Sequence, residues 1–160
     1  MLKSSPPLSP TDPVLLASRW TVEDLLPENV PQMAIELIEA GHEEPSVYRV
    51  AAEDKVYSRD QVEALLHQMF ISLGVTYPIS LESARHTVAR QIAREVMAGL
   101  RDPWIAAAQL DRLVPHWETK NENILTIYGI TDEADWDAGY GRSFAMLEQE
   151  LINAFEQLAR

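Results

Sequence analysis

Residues 80–114 constrain the fold of this chain more than any other segment, because they encode two successive helices with a sharp break between them. Apolar residues recur there with the spacing of one helix face: Leu81, Ala84, Val88, Ile92, Val96 and Leu100. After the break, Asp102 is suited to the N-cap of a helix and Pro103 to its first position. The segment therefore predicts helices over 81–99 and 103–113.

Two further segments carry the same helical period, at 59–73 and 142–158. The last one places five apolar side chains on one stripe: Phe144, Leu147, Leu151, Phe155 and Leu158. A short helix is expected over 131–138. Residues 116–130 are the least readable segment, and they are expected to be helical or irregular because a lone strand would have no partner. The pattern predicts an all-α protein, an irregular helical bundle of five to eight helices.

The length of 160 residues suits one domain with a single core. Residues 1–12 are rich in proline and serine, which predicts an extended N-terminal tail. Residues 13–160 are then expected to form one helical domain. Six side chains are predicted to be nearly fully buried in its core: Phe70, Val88, Ile92, Leu110, Leu151 and Phe155.

Targeting signals and net charge indicate where the protein is located and what kind of partner it binds. The chain has no cysteine, no apolar run of membrane-spanning length and no signal-peptide pattern, which predicts a cytoplasmic protein with no membrane partner. Its net charge of −12 argues against nucleic acid as a partner and favours a basic protein. Residues 21–63 carry eleven acidic and three basic side chains, and residues 118–137 carry six and one.

Catalytic signatures are absent from the sequence, and no cofactor motif is present, so binding is favoured over catalysis. One alternative is a metal-binding helical-bundle enzyme. Glu63 and His67 lie four residues apart on one predicted helix, as do Glu82 and His86 on another, and such pairs can share a metal ion. All four positions lie at the flanks of the apolar stripes, so no metal site is predicted there.

Aromatic and acidic residues are interleaved in residues 116–141, the segment that follows the predicted helix 103–113. Aromatic side chains in such segments often anchor protein interfaces. The predicted partner-binding residues are Trp117, Asp132, Asp135, Trp136, Asp137 and Tyr140.

The run Ala89-Arg90-Gln91-Ile92-Ala93, followed by Gly99, by Asp102-Pro103 and by Ala106-Ala107, resembles a pattern found in small bacterial all-helical proteins of no known function. The segment Gly129-Ile130-Thr131-Asp132-Glu133 is similar to the segment that follows in those proteins. The resemblance implies a bacterial, cytoplasmic origin and carries no activity.

Three functions remain open on these grounds. The leading hypothesis is an acidic protein-binding module, such as an immunity or antitoxin-like inhibitor of a basic toxin, or a small regulator. The second is the metal-binding enzyme that would use Glu63, His67, Glu82 and His86. The third is a structural homodimer held together by a leftover apolar face.

Overall fold

The computed structural model describes residues 5–135 and 143–160. Those residues form eight α-helices and three short 3₁₀ turns, with no strand among them, which confirms the all-α prediction. The helices are α1 (Pro13–Thr21), α2 (Val30–Glu39), α3 (Pro45–Ala51), α4 (Glu63–Ser72), α5 (Leu81–Met97), α6 (Pro103–Leu113), α7 (Glu122–Asp135) and α8 (Phe144–Ala159).

The chain divides into two compact units, and the boundary falls within α5. The N-terminal unit comprises Leu8–Arg85. The C-terminal unit comprises His86–Arg160 and the described residues that precede Leu8. The single helical domain over 13–160 stays a prediction. In the described part of the predicted tail, residues 5–12 form no helix.

The N-terminal unit is organised around Trp20, Phe70 and Leu66, none of which has any solvent exposure. Helix α2 packs on α3, and α4 contacts both α3 and α1. Along α2, α3 and α4 the buried side chains recur with helical spacing, so each of these helices presents one apolar face to this core. Helix α1 is buried more completely, since its four consecutive residues 15–18 are all buried.

The C-terminal unit is built from α6, α7 and α8, which pack on one another in all three pairs. Tyr128 of α7 holds α7 against α6 through its buried hydroxyl group. This hydroxyl is within hydrogen-bonding distance of two backbone carbonyl oxygens at the end of α6, that of Leu110, at 3.0 Å, and that of Val114. All six side chains that the sequence places in the core are buried, with at most 3 % exposure: Phe70, Val88, Ile92, Leu110, Leu151 and Phe155.

Helix α6 begins where the sequence predicts. The Asp102 carboxylate accepts hydrogen bonds from the backbone N–H groups of Trp104 (2.9 Å) and Ile105 (3.1 Å), and Pro103 opens the helix. Two of the four N–H groups that a helix start leaves without partners are thereby satisfied.

Helix α7 is longer than predicted and covers most of the segment with no readable period. It begins at Glu122 because the side chain of Asn121 accepts from the N–H groups of Asn123 (2.9 Å) and Ile124 (3.1 Å). The helix continues through Gly129 to Asp135, so the short helix predicted over 131–138 is, as far as Asp135, the last turns of α7.

The apolar stripe of α5 is buried along its middle and exposed at its two ends. Leu81 is 46 % and Leu100 is 70 % exposed. The helix ends at Met97, and Gly99 adopts a positive φ of 76°, which turns the chain away from the helical path. Leu100 therefore no longer shares the face on which Ile92 lies.

Among the described residues, no helix combines the length and the apolar character that crossing a membrane requires.

Candidate functional site

Trp117 is the most exposed of the described tryptophans, at 74 %. It lies in the 3₁₀ turn His116–Glu118, which packs against α7. The His116 ring meets its indole edge to face, with 4.9 Å between the ring centroids, and this neighbour leaves most of the indole in water. A large apolar surface is thus presented to solvent immediately before the acidic segment 118–137.

Asp132 and Asp135, the other described residues of the predicted partner-binding set, are separated from Trp117 by most of the length of α7. Asp132 and Asp135 are exposed in the last turns of that helix. Since a helix rises 1.5 Å per residue, Asp132 lies roughly 15 Å along the axis from Glu122. Trp136, Asp137 and Tyr140 lie outside the described residues. The structure therefore places the tryptophan at one end of α7 and the two aspartates at the other.

A second aromatic feature, missed in the sequence, joins α6 to α8. The rings of Trp104 and Phe144 stack with 5.0 Å between centroids and 23° between planes. The Trp104 Nε1 group donates to Glu148 Oε1 at 3.2 Å. Phe144 remains 62 % exposed. These three residues, called the shelf below, place two aromatic rings and a carboxylate together on one surface of the C-terminal unit.

In the N-terminal unit, Glu63 accepts two hydrogen bonds from neighbouring aromatic side chains. Trp20 Nε1 donates to its Oε2 at 3.0 Å, and the Tyr77 hydroxyl donates to its Oε1 at 3.1 Å. The Arg59 guanidinium lies 3.7 Å from the centroid of the Trp20 ring, over its face. Both carboxylate oxygens of Glu63 are therefore engaged within the unit, and the cluster fastens α1 to α4.

Burial raises the pKa of Tyr77 to about 12, and the negative charge of Glu63, together with the hydrogen bond that this residue accepts, adds to the shift. Deprotonation would place a phenolate against a carboxylate and abolish the donated hydrogen bond. The Tyr77 hydroxyl is thus held in its neutral, donating form, which suits a structural role and does not suit a nucleophile.

Replacing Tyr77 with phenylalanine is expected to remove a late step from the alkaline titration of tyrosine absorbance. The difference between wild type and Tyr77→Phe should have a midpoint near pH 12, whereas the ordinary tyrosine value is 10.0. A tyrosine that holds its proton more tightly when folded adds stability that is complete below about pH 10 and is lost as the pH rises towards 12. A difference titration centred near pH 10 would show that Tyr77 lacks both the burial and the contact with Glu63 that raise its pKa.

The residues of the metal alternative do not form a ligand set. Both carboxylate oxygens of Glu63 accept hydrogen bonds from Trp20 and Tyr77. The His67 ring packs edge to face on the Tyr77 ring, with 5.2 Å between the ring centroids. Glu82 and His86 are exposed. Within residues 5–135 and 143–160, no group of three or more His, Asp or Glu side chains is arranged to hold a metal ion.

Two of the arginines of α5 bind the end of α8. Arg90 donates to the carbonyl oxygen of Arg160, and Arg94 Nε donates to that of Ala159 at 3.2 Å. Burial, and then the charge of Arg90, lowers the pKa of Arg94 from its usual value. Cationic side chains at the C-terminal end of a helix satisfy its last carbonyl groups and favour its dipole, so these contacts are structural.

Comparison with known proteins found no matching family model, no matching curated protein and no matching solved structure. The resemblance to small bacterial all-helical proteins therefore stays a prediction.

Proposed function

We propose that this chain is an acidic protein-binding module for a basic partner, with Trp117 as an anchor of the contact. The exposed indole of Trp117 carries the proposal. Burying a tryptophan removes roughly 150–250 Å² from water. At about 25 cal/mol per Å², leaving most of the side chain exposed forgoes roughly 3–4 kcal/mol of stabilisation. A partner that covers Trp117 would recover this free energy on binding.

Charge supports a basic partner. The net charge of −12 is concentrated in residues 21–63 and 118–137, and Trp117 immediately precedes the second of these segments. Asp132 and Asp135 are exposed, so their charges act at a distance on an approaching protein. Complementary charge of this kind steers encounter and raises the association rate more than it raises affinity. An inhibitor of a basic toxin and a small regulator are the two kinds of protein that this chemistry suits best.

The test is site-specific crosslinking in the cells from which the protein comes. A photoreactive residue replaces Trp117 in one variant and Tyr57 in a control variant, since Tyr57 is 78 % exposed and lies in the N-terminal unit. We expect position 117 to capture one protein of net positive charge that position 57 does not. Equal yields at the two positions, or an acidic protein captured at 117, would contradict the proposal.

With the captured protein purified, binding kinetics then measure the two contributions separately. Trp117→Ala should weaken affinity by about 2 kcal/mol or more, chiefly through faster dissociation. Raising the salt concentration should slow association and change dissociation less, because exposed charges are screened within about 8–10 Å. An association rate that does not change with salt would contradict the role of charge, and an unchanged affinity in Trp117→Ala would contradict the role of Trp117 as an anchor.

A further inference from the structure

We infer that the shelf docks an arginine side chain, with an apolar residue beside it, from the basic partner protein. The inference rests on the proposed function, because it names the partner group that a second surface of the same module recognises. The geometry that carries it is that of Trp104, Phe144 and Glu148, and Trp117 is not part of the shelf.

The aromatic half of the shelf offers a flat, supported face. Phe144 is 62 % exposed, and the Trp104 ring stacks on it within 23° of parallel, which holds the phenyl ring in one orientation. A guanidinium group is planar, weakly hydrated and attracted to the negative face of an aromatic ring. The outer face of Phe144 is therefore suited to stacking by arginine.

Glu148 supplies the countercharge at the right place. It follows Phe144 by four residues on α8, so the two side chains are neighbours on one helix face. The bond from Trp104 Nε1 at 3.2 Å orients the carboxylate. An ionised carboxylate accepts up to about four hydrogen bonds, so acceptor capacity remains for a guanidinium. A single arginine can thus stack on Phe144 and pair with Glu148.

Exposed apolar side chains close to Trp104 in the sequence suit an apolar residue on the partner segment. Leu100 and Ile105, which lie four residues before and one residue after Trp104 in the sequence, are 70 % and 62 % exposed. A side chain on the partner that covers them would add area to the contact without adding charge.

Charge selects the partner over two other occupants of an apolar surface. A second copy of the chain would bring another net charge of −12 towards the shelf, so the two copies would repel each other. A membrane with anionic lipids is disfavoured for the same reason. A cationic, partly apolar protein segment satisfies both the rings and the carboxylate.

The experiment uses the full chain labelled with 5-fluorotryptophan, with the resonance of Trp104 assigned through Trp104→Phe. The probe is a synthetic peptide of repeating Leu-Arg-Ala-Ala units, compared with peptides in which lysine or glutamate replaces arginine. We expect the arginine peptide to shift the Trp104 resonance and leave that of the fully buried Trp20 unchanged. The lysine peptide should bind more weakly, and the glutamate peptide should not bind.

Three variants locate the contact. Phe144→Ala and Glu148→Gln should each weaken binding of the arginine peptide about tenfold or more. Met146→Ala is the matched control, because Met146 is 55 % exposed in the same first turn of α8, and it should leave affinity unchanged. Equal binding of the arginine and glutamate peptides, or unchanged affinity in both shelf variants, would overturn the inference.

Other occupants would be recognised by their own signatures. A dimer in sedimentation that is lost in Phe144→Ala would identify a second copy as the occupant and overturn the inference. Binding to neutral phosphatidylcholine vesicles that is lost in the same variant would identify a lipid surface and also overturn it. If the shelf variants bind the arginine peptide as well as wild type does, while position 117 still captures a basic protein, the shelf inference is wrong and the proposed function stands.

Discussion

Replacing Ile92 with alanine is expected to lower the free energy of unfolding by about 2–5 kcal/mol, the usual range for removing a buried aliphatic side chain. Ile92 is 3 % exposed in the middle of α5, where the neighbouring apolar positions of the stripe are buried as well. The truncation removes apolar area from the core and leaves a cavity that the surrounding helices fill only in part. Chemical denaturation followed by circular dichroism measures the loss.

The matched control is the same substitution at an exposed site of the same unit. Ile105 is 62 % exposed near the start of α6, so Ile105→Ala should change the free energy of unfolding by no more than about 0.5 kcal/mol. Similar losses in the two variants would mean that the helical phase of α5 is not the one described.

Helices whose starts are marked by side-chain chemistry could be predicted from the sequence. Asp102 and Pro103 specify the start of α6 locally, and the structure begins the helix at Pro103. Asn121 is an equally good capping residue, but it stands in a segment where Gly129 interrupts the apolar pattern. The helical spacing of Ile124, Ile127 and Tyr128 therefore left helix and irregular structure as alternatives, and the start and length of α7 were not predicted.

Burial could be predicted in the middle of a helix and less well at its ends. The core residues predicted from the stripes are all buried. Phe144 belongs to the predicted stripe of the last helix and is nonetheless 62 % exposed, because it is the first residue of α8 and its stacking on Trp104 covers only part of the ring. Which faces of a terminal turn are covered depends on the neighbouring helix, and the helical period carries no information about that neighbour.

The shelf could not be predicted for a related reason. Trp104 and Glu148 are separated by 44 residues, and only the packing of α6 on α8 brings them within hydrogen-bonding distance. The Glu63 cluster is similar, since Trp20 and Glu63 are 43 residues apart. Sequence spacing singled out Glu63 with His67 as a possible ligand pair, whereas the fold gives both Glu63 oxygens to Trp20 and Tyr77.

Trp20→Ala is expected to be the most destabilising change in the N-terminal unit, at about 3–5 kcal/mol. Trp20 has no solvent exposure, so truncation leaves a large cavity in the core of that unit. It also removes the donor to Glu63 and the ring beneath Arg59. Trp20→Phe should cost less, because it keeps most of the buried ring and loses mainly the hydrogen bond.

The same substitution at Trp117 separates stability from binding. Trp117 is 74 % exposed, so Trp117→Ala should change the free energy of unfolding by no more than about 0.5 kcal/mol, measured under the same conditions as Trp20→Ala. A side chain that adds little to the fold while exposing so much apolar surface fits a role in contact with another molecule. A loss as large as that of Trp20→Ala would instead make Trp117 a structural residue and remove the observation on which the binding proposal rests.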